Sequence, residues 1–172
     1  MKRTLILMRH AKSSWDSPSD NDHDRPLNDR GIQSARALGH WLREQKLIFK
    51  DNLSSTEALV SSSLRTQQTF AGLNIDIEPT IVKALYNASS DFLLEALNSA
   101  TKDTVLIIAH NPGIGELAFR LARMMRNLPS HTRFVDFPTG STLVVEWETN
   151  SWEDLDYSQG KIVKFTTPKE LS

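Results

Sequence analysis

The amino-acid sequence predicts an α/β fold, a three-layer sandwich in which a mainly parallel central sheet is flanked by helices. Two continuous apolar runs, 4–8 and 104–109, have the length and residue types of strands that are buried on both faces. Between and after these runs, apolar residues recur at helical spacing in several segments. Strands that alternate with helices favour a parallel sheet, and such sheets bind ligands beyond the carboxyl ends of their strands.

The predicted elements follow one another along the chain. Segments rich in strand-forming residues are the candidate strands, and they lie at 4–8, 57–60, 74–78, 104–109, 141–147 and 161–165. Amphipathic segments with a helical period are the candidate helices, and they lie at 28–45, 61–72, 90–100 and 112–126. Two stretches without a sustained period are predicted loops, at 11–27 and 126–140.

Particular residues set the predicted boundaries. Asn28 is a good N-cap before the first helix. Gly72 suits the end of the second helix, and Pro79 closes the strand candidate that follows it. Pro112 stands where a helix can begin, because proline is tolerated in the first helical turn. The loop over 11–27 is long for a compact domain, and loops of that length usually carry function.

Length and composition limit the class of protein. At 172 residues with 39% hydrophobic content, the chain is predicted to form a single domain over residues 1–172. The 20 basic and 21 acidic residues nearly cancel, so neither nucleic acid nor a membrane is an expected partner. The sequence contains no cysteine, which excludes a disulfide framework, a thiolate zinc site and a cysteine nucleophile. The first apolar run is too short for a signal peptide or a membrane span, and a cytoplasmic location is expected.

Two histidines directly follow the two clearest strands. His10 comes after the strand over 4–8 and is preceded by Arg9, and His110 comes after the strand over 104–109. Because the carboxyl ends of parallel strands meet at one edge of a sheet, this placement favours a shared site. Single histidines elsewhere are usually packing or surface residues, which is the interpretation favoured for His23, His40 and His131.

The residue types in this arrangement indicate phosphoryl transfer. A neutral imidazole is a competent nucleophile toward phosphorus, and a covalent intermediate divides one difficult displacement into two easier ones. The transferred group spreads charge over three oxygens, so positioned cations contribute much of the catalysis. Arginine suits this role because its planar fork binds two oxygens at once. We assign phosphate binding to Arg9 and Arg65, and we assign a donor role, as imidazolium, to His110.

Three separated segments carry a resemblance to a known family. Leu7-Met-Arg-His-Ala11, Ser61-Ser-Ser-Leu-Arg-Thr-Gln-Gln-Thr69 and Ala109-His-Asn-Pro112 resemble, in order, the signature segments of the histidine phosphatase superfamily. The compact length, Arg25-Pro-Leu27 and Asp29-Arg-Gly31 are similar to the small SixA-like phosphohistidine phosphatase branch. The resemblance spans nearly the whole chain, and it implies a phosphoglycerate mutase-like form of the α/β sandwich.

The resemblance also implies the role of each central residue. His10 would be the phosphorylated nucleophile, Arg9 and Arg65 would hold the phosphate, and His110 would complete the pocket as a donor. The implied substrate is phosphohistidine in a carrier or phosphorelay protein, or else a small phosphorylated molecule. Neither a cofactor nor a metal ion is expected.

Three further residues are weaker candidates for substrate binding. Arg25 lies in the loop where the SixA-like branch carries a basic residue, and it would reach the rim of the phosphate. The alternative for Arg25 is a salt bridge that fixes the loop. Ser13 and Asn111 are candidate hydrogen-bond donors at the rim.

The sequence departs from the broader superfamily at two places. Ala11 replaces the glycine that usually follows the nucleophilic histidine. Where the mutase and acid phosphatase branches carry an acidic residue that protonates the leaving oxygen, this chain has Leu85-Tyr-Asn87 and Asn111. An alkoxide needs that proton, whereas the imidazole of phosphohistidine leaves as a neutral group after one easy protonation. The missing acid therefore favours phosphoramidate or other activated substrates.

Two alternative functions stay open at the level of sequence. The protein could be a phosphatase of small phosphate esters or acyl phosphates, with an acid supplied by one of the loop aspartates, Asp16, Asp20, Asp22 or Asp24. It could also be a module that binds phosphohistidine without hydrolysing it, although such a module has no need of an aligned nucleophile.

Overall fold

A computed structural model of the protein describes residues 1–16 and 21–171. The strands are β1 (Lys2–Arg9), β2 (Thr56–Ser61), β3 (Thr80–Val82), β4 (Thr104–Ala109), β5 (Thr142–Glu148) and β6 (Lys161–Thr166). The helices are α1 (Asp29–Glu44), α2 (Leu64–Leu73), α3 (Ser90–Asn98) and α4 (Gly113–Met124). The strands form a six-stranded sheet in the order β3-β2-β4-β1-β5-β6.

The sheet is mainly parallel, as the sequence predicts. β1 pairs with β4, β4 with β2 and β2 with β3 in parallel register. β5 runs antiparallel to β1 on one side and to β6 on the other. Residues 4–8 of β1 are all buried. A strand that is covered on both faces needs apolar residues at successive positions, which explains the continuous run in the sequence.

Side chains of β1 alternate between two hydrophobic cores. Leu5 and Leu7 belong to the core covered by α3 and α4, and Ile6 and Met8 belong to the core covered by α1 and α2. Because successive strand residues point to opposite faces of a sheet, one strand serves both cores. This arrangement is the predicted three-layer sandwich.

The helices begin where the sequence indicates. Asn28 caps α1, since its side-chain oxygen accepts the N–H of Gly31 at 2.8 Å. Pro112 directly precedes α4. Across residues 1–16 and 21–171, no helix has both the length and the apolar character needed to cross a membrane.

The segment over 74–78 is not a strand, so this part of the sequence-based prediction is wrong. Asn74 ends α2 in a left-handed conformation with a φ of 56°. The N–H of Ile77 then bonds the carbonyl of Ile75 at 2.9 Å, a turn too tight for a strand. The third strand is β3, which lies beyond Pro79 and pairs with β2.

The loop after β1 is fastened to the start of α1. The N–H of Asn28 donates to the carbonyl of Lys12 at 3.0 Å. Gly31 lies so close to Lys12 that a Cβ on Gly31 would be 2.1 Å from the same carbonyl oxygen. A residue without a Cβ is required at such an approach. The loop also contains a short 3-10 helix, Asp22–Asp24.

Candidate active site

His10 and His110 lie side by side at the carboxyl edge of the sheet. β1 and β4 pair Arg9 with Ala109, so the next residue of each parallel strand is a histidine at the same level. The imidazole centroids are 5.3 Å apart, with 54° between the ring planes. Both residues are buried. The structure thus brings together the two histidines that the sequence singles out.

The hydrogen bond of His10 defines which of its nitrogens can react. Nδ1 lies 2.7 Å from the backbone carbonyl of Ala11, and because a carbonyl only accepts, Nδ1 carries the proton. Nε2 then holds the lone pair. Burial lowers the pKa of His10 to about 3, despite the bond to Ala11, and the charges of His110 and two arginines act in the same direction as burial. The imidazole is neutral at physiological pH, the form required of a nucleophile.

His110 is held between Ser61 and Arg65. Its Nε2 lies 2.7 Å from Oγ of Ser61, and Nη2 of Arg65 donates to its Nδ1 at 3.4 Å. A guanidinium only donates, so Nδ1 holds a lone pair and Nε2 carries the proton. Burial, followed by the charge of Arg65, lowers the pKa of His110 to about 4. The protein groups therefore keep His110 neutral, and the imidazolium expected from the sequence requires the negative charge of a phosphate nearby.

Arg9 and Arg65 supply the positive charge of the site. Arg65 is 5% exposed and lies in the first turn of α2, whereas Arg9 ends β1 and donates from Nη1 to the carbonyl of Phe137 at 3.2 Å. Burial, and then the like charge of Arg65, lower the pKa of Arg9. Within the described residues, the buried Nε atoms of both arginines lack a hydrogen-bond partner. Two neighbouring desolvated cations favour an anion, and phosphate can accept from both forks.

The 3-10 helix places Asp22 against Arg65. The backbone carbonyl of Asp22 accepts from Nη1 at 2.7 Å, and Oδ2 accepts from Nη2 at 3.1 Å. Arg25 donates from Nε to Oδ1 at 3.0 Å, and the hydroxyl of Tyr86 donates to Oδ2. The bond from Tyr86, together with those from the two arginines, holds the pKa of Asp22 well below its usual range. Asp22 is therefore an anion at neutral pH, which argues against its use as a general acid.

The other loop aspartates have different surroundings. Oδ1 of Asp24 pairs with Nδ1 of His23 at 3.5 Å. Asp16 is exposed, and its backbone N–H bonds Oγ of Ser14 at 3.1 Å. Asp20 lies outside the described residues. In the part of the chain that the structure describes, no three His, Cys, Asp or Glu side chains form a cluster able to hold a metal ion.

Arg25 and Ser13 bind each other and the surrounding loop. Nη1 of Arg25 donates to Oγ of Ser13 at 2.8 Å and to the carbonyl of Ser14 at 3.3 Å. The guanidinium carbon lies 3.6 Å from the ring centroid of Trp15, which is exposed. With its bond to Asp22, Arg25 forms the loop-fixing salt bridge that the sequence left as the alternative to phosphate binding. The hydroxyl of Ser13 belongs to the same network.

Asn111 lies next to His110 in sequence, but its amide binds backbone groups. Nδ2 donates to the carbonyls of Asp136 and Phe137 at 3.2 and 3.0 Å. Oδ1 accepts from the N–H of Gly115 at 3.1 Å. The amide thus joins the start of α4 to the segment that contains Phe137. The carbonyl of Phe137 also accepts a hydrogen bond from Arg9. The bonds of the Asn111 amide therefore support the backbone around the site.

Comparison with known proteins identifies the family. A family model described as the histidine phosphatase superfamily, branch 1, matches residues 5–89. Phosphohistidine phosphatase SixA of Escherichia coli (strain K12) is 30% identical over 125 residues, which are 68% of this chain and 73% of that protein. The chain belongs to the histidine phosphatase superfamily. An uncharacterised protein of Mycobacterium tuberculosis is 32% identical over 167 residues, or 94% of this chain and 100% of that protein.

Solved structures of the histidine phosphatase superfamily have the same fold. A structure from Nakamurella multipartitia, provisionally designated phosphohistidine phosphatase SixA, has a TM-score of 0.80 and 28% identity, and the match covers 98% of this chain and 97% of that chain. The protein histidine phosphatase SixA in complex with tungstate has a TM-score of 0.69 and 24% identity, with 98% and 99% covered. The phosphoglycerate mutase-like architecture expected from the sequence is confirmed, and family membership supports phosphatase activity.

Three residues of the candidate site were given no role of their own in the sequence-based prediction. Oγ of Ser61 orients His110, Oγ1 of Thr69 accepts the N–H of Ala11 at 3.0 Å, and the ring of Tyr86 packs edge-on to His110 at 5.4 Å between centroids. Ser61 ends β2 at the same sheet edge, so the rule that identified the histidines could also have found it. Thr69 ends the second signature segment, but nothing in the sequence marks its bond to Ala11 or the bond from Tyr86 to Asp22.

Proposed function

We propose that this protein is a phosphatase that removes the phosphoryl group from phosphohistidine in a substrate protein, through a phosphorylated intermediate on His10. One observation carries the proposal: His10 is neutral, its Nδ1–H is held by the Ala11 carbonyl at 2.7 Å, and Nε2 keeps its lone pair. The Escherichia coli relative is a phosphohistidine phosphatase, which supports the same substrate class.

In the first step, Nε2 of His10 attacks phosphorus and the bond from phosphorus to the substrate imidazole breaks. The imidazole leaves with the bonding electrons and is neutral after one nitrogen takes a proton from water. Arg9 and Arg65 bind the oxygens on which charge accumulates. His110, protonated beside the phosphate, donates from Nδ1.

In the second step, a water molecule attacks the phosphorus of phospho-His10. The water loses a proton to solvent, the bond from phosphorus to Nε2 breaks, and inorganic phosphate forms. His10 returns to its neutral state with the proton still on Nδ1. Because Nδ1–H stays hydrogen-bonded to Ala11 throughout, the ring is held in one orientation for both displacements.

The state of Asp22 supports a substrate with a good leaving group. This carboxylate contacts Arg65 and is held ionised by its hydrogen bonds, so it does not supply a proton to an alkoxide. Imidazole, and also the carboxylate released from an acyl phosphate, can leave without a strong acid nearby. Phosphohistidine is therefore favoured over phosphate esters, and acyl phosphates are the second candidate.

A protein substrate suits the surroundings of the site. The large apolar residues Trp15 and Val135 are 79% and 66% exposed on the two loops that follow β1 and precede β5. The second of these loops contains Phe137, whose carbonyl receives Arg9. Exposed aromatic and apolar side chains beside a reactive centre are typical of protein contact surfaces. The proposed partner is a phosphorylated carrier or phosphorelay protein in the cytoplasm.

The test is release of inorganic phosphate from a phosphohistidine carrier protein, with the wild type beside His10→Ala and with p-nitrophenyl phosphate as the ester control. We expect rapid dephosphorylation of the carrier that disappears in His10→Ala, and slow ester hydrolysis. Equal rates for the two proteins would eliminate His10 as nucleophile. Fast ester hydrolysis that Asp16→Asn or Asp24→Asn abolishes would favour the ester phosphatase, and phosphate bound without release would favour the binding module.

A further inference from the structure

We propose that Asp22 is a positioning residue, which holds the guanidinium of Arg65 in the orientation that binds the phosphoryl group. The inference rests on the proposed function, because it concerns the same site. It gives Asp22 a role different from that of a general acid, since the carboxylate acts through Arg65 and not on the reacting atoms.

Asp22 engages both terminal nitrogens of one guanidinium. Its carbonyl accepts from Nη1 at 2.7 Å and its Oδ2 accepts from Nη2 at 3.1 Å. A planar fork that is held at both Nη atoms loses its freedom to rotate. Nη2 of Arg65 also lies 3.4 Å from Nδ1 of His110. The orientation that Asp22 sets is therefore the one in which Arg65 borders the two catalytic imidazoles, which are 5.3 Å apart.

The carboxylate of Asp22 is itself held from two further sides. Arg25 donates to Oδ1 at 3.0 Å, and Arg25 is anchored in turn on Oγ of Ser13 at 2.8 Å. The hydroxyl of Tyr86 donates to Oδ2. A carboxylate that only competed with phosphate for Arg65 would have to leave when substrate binds, and these bonds oppose its departure. The network favours an anion that stays in place while phosphate binds to the remaining donors of Arg65.

The charge of Asp22 has a second effect on the site. Arg9 and Arg65 repel each other in desolvated surroundings, as the lowered pKa of Arg9 indicates. Asp136 acts in the opposite direction on Arg9, and Asp22 forms the ion pair with Arg65. A negative charge that acts on each arginine reduces the free energy needed to hold two guanidinium groups near one phosphate.

The test measures binding of inorganic phosphate by calorimetry to the wild type, Asp22→Asn, Arg65→Lys and the double variant. We expect Asp22→Asn to weaken phosphate binding about tenfold or more, since hydrogen bonds to a charged group are lost. In the Arg65→Lys background, the same change is expected to weaken binding less than about threefold, because its effect depends on the fork. Asp24→Asn is the matched control in the same 3-10 helix, and its affinity is expected to equal that of the wild type.

Tyr86→Phe provides an independent variant that keeps the charge of Asp22 and removes one of its hydrogen bonds. We expect this variant to lose about threefold in phosphate affinity.

The shape of the pH profile of kcat/KM is expected to be the same in Asp22→Asn as in the wild type. Tighter phosphate binding by Asp22→Asn would overturn the proposal, as would an equal loss of phosphate affinity in both Arg65 backgrounds. The proposal would also be overturned if the decrease of kcat/KM at high pH disappeared in Asp22→Asn, or if the wild type did not bind phosphate. Failure of the proposed function has a different signature: phosphate binding that depends on Asp22, without turnover of phosphohistidine.

Discussion

His10 and His110 carry their protons on opposite ring nitrogens. The carbonyl of Ala11 keeps the proton of His10 on Nδ1, whereas Arg65 donates to Nδ1 of His110 and thereby leaves the proton of that ring on Nε2. The lone pairs are consequently on Nε2 of one ring and Nδ1 of the other. One imidazole is prepared to attack phosphorus, and its neighbour can donate from Nδ1 only by taking up a second proton.

The tautomer of His10 predicts the chemical form of the intermediate. Because Nδ1 is occupied by its bond to Ala11, phosphorus should be found on Nε2. Rapid acid-free quenching during turnover, followed by comparison with the two phosphohistidine isomers as standards, measures this directly. Recovery of the Nδ1-phosphorylated isomer would show that the bond to Ala11 breaks before attack.

Arg65→Lys tests the need for a planar fork. Lysine keeps the positive charge but lacks the planar fork that donates to Asp22 from two nitrogens. We expect kcat/KM for a phosphohistidine protein to fall by about 10²- to 10³-fold, the usual effect of removing a donor to transition-state charge. Arg120→Lys is the control, since Arg120 pairs with Asp91 at 2.7 Å on the α3 and α4 side of the sheet. A comparable loss in both variants would contradict a specific role for the fork.

The two buried histidines predict that the folded protein becomes less stable as the pH is lowered. The folded protein holds His10 and His110 with pKa values of about 3 and 4, against 6.5 in the unfolded chain. Below pH 6.5 the unfolded state binds more protons, so the stability of the fold is complete above that pH and decreases as the pH falls toward 4. Each histidine is expected to reduce the free energy of unfolding by about 2 kcal/mol between pH 7 and pH 5.

Urea unfolding of the wild type and His110→Asn at pH 7.5, 6 and 5 checks this expectation. The variant should lose about 2 kcal/mol less than the wild type over that range, because one buried titrating group has been removed. His40→Asn is the control, since His40 is exposed on α1. Parallel pH dependences for the wild type and His110→Asn would mean that His110 is protonated as readily in the folded chain as in the unfolded one.

Asn111→Ala separates a supporting role from phosphate binding. The amide makes three bonds to backbone groups, and their loss should lower the free energy of unfolding by about 1–3 kcal/mol. Affinity for inorganic phosphate should fall by less than about tenfold. This smaller effect is expected because Asn111 and Arg9 both donate to the carbonyl of Phe137, so the loss of one bond disturbs the other. Unchanged stability with a large loss of phosphate binding would instead restore Asn111 as a donor at the rim.

Much of the fold could be predicted because its strongest signals are local. The apolar run over 4–8 and the one over 104–109 each require burial on both faces, and Asn28 and Pro112 act on the first turn of their own helices. The prediction of a strand over 74–78 is wrong because Asn74 adopts a left-handed conformation and a tight turn forms at Ile77. These two features outweigh the strand propensity of the residues between them. Boundaries of this kind depend on where the next strand can pair, and β3 pairs only beyond Pro79.

The sequence by itself determined the α/β class and the placement of His10 and His110 at one sheet edge, because both follow from periodicity and from the geometry of parallel strands. The protonation of each ring, the binding of Arg25 to Ser13, and the contact of Asp22 with Arg65 were decided only by the tertiary structure. These properties depend on burial and, for His110 and Arg65, on partners at least 43 positions away in the sequence. Desolvation and hydrogen bonding act over a few ångströms in space, and a linear sequence does not specify which distant groups come within that range.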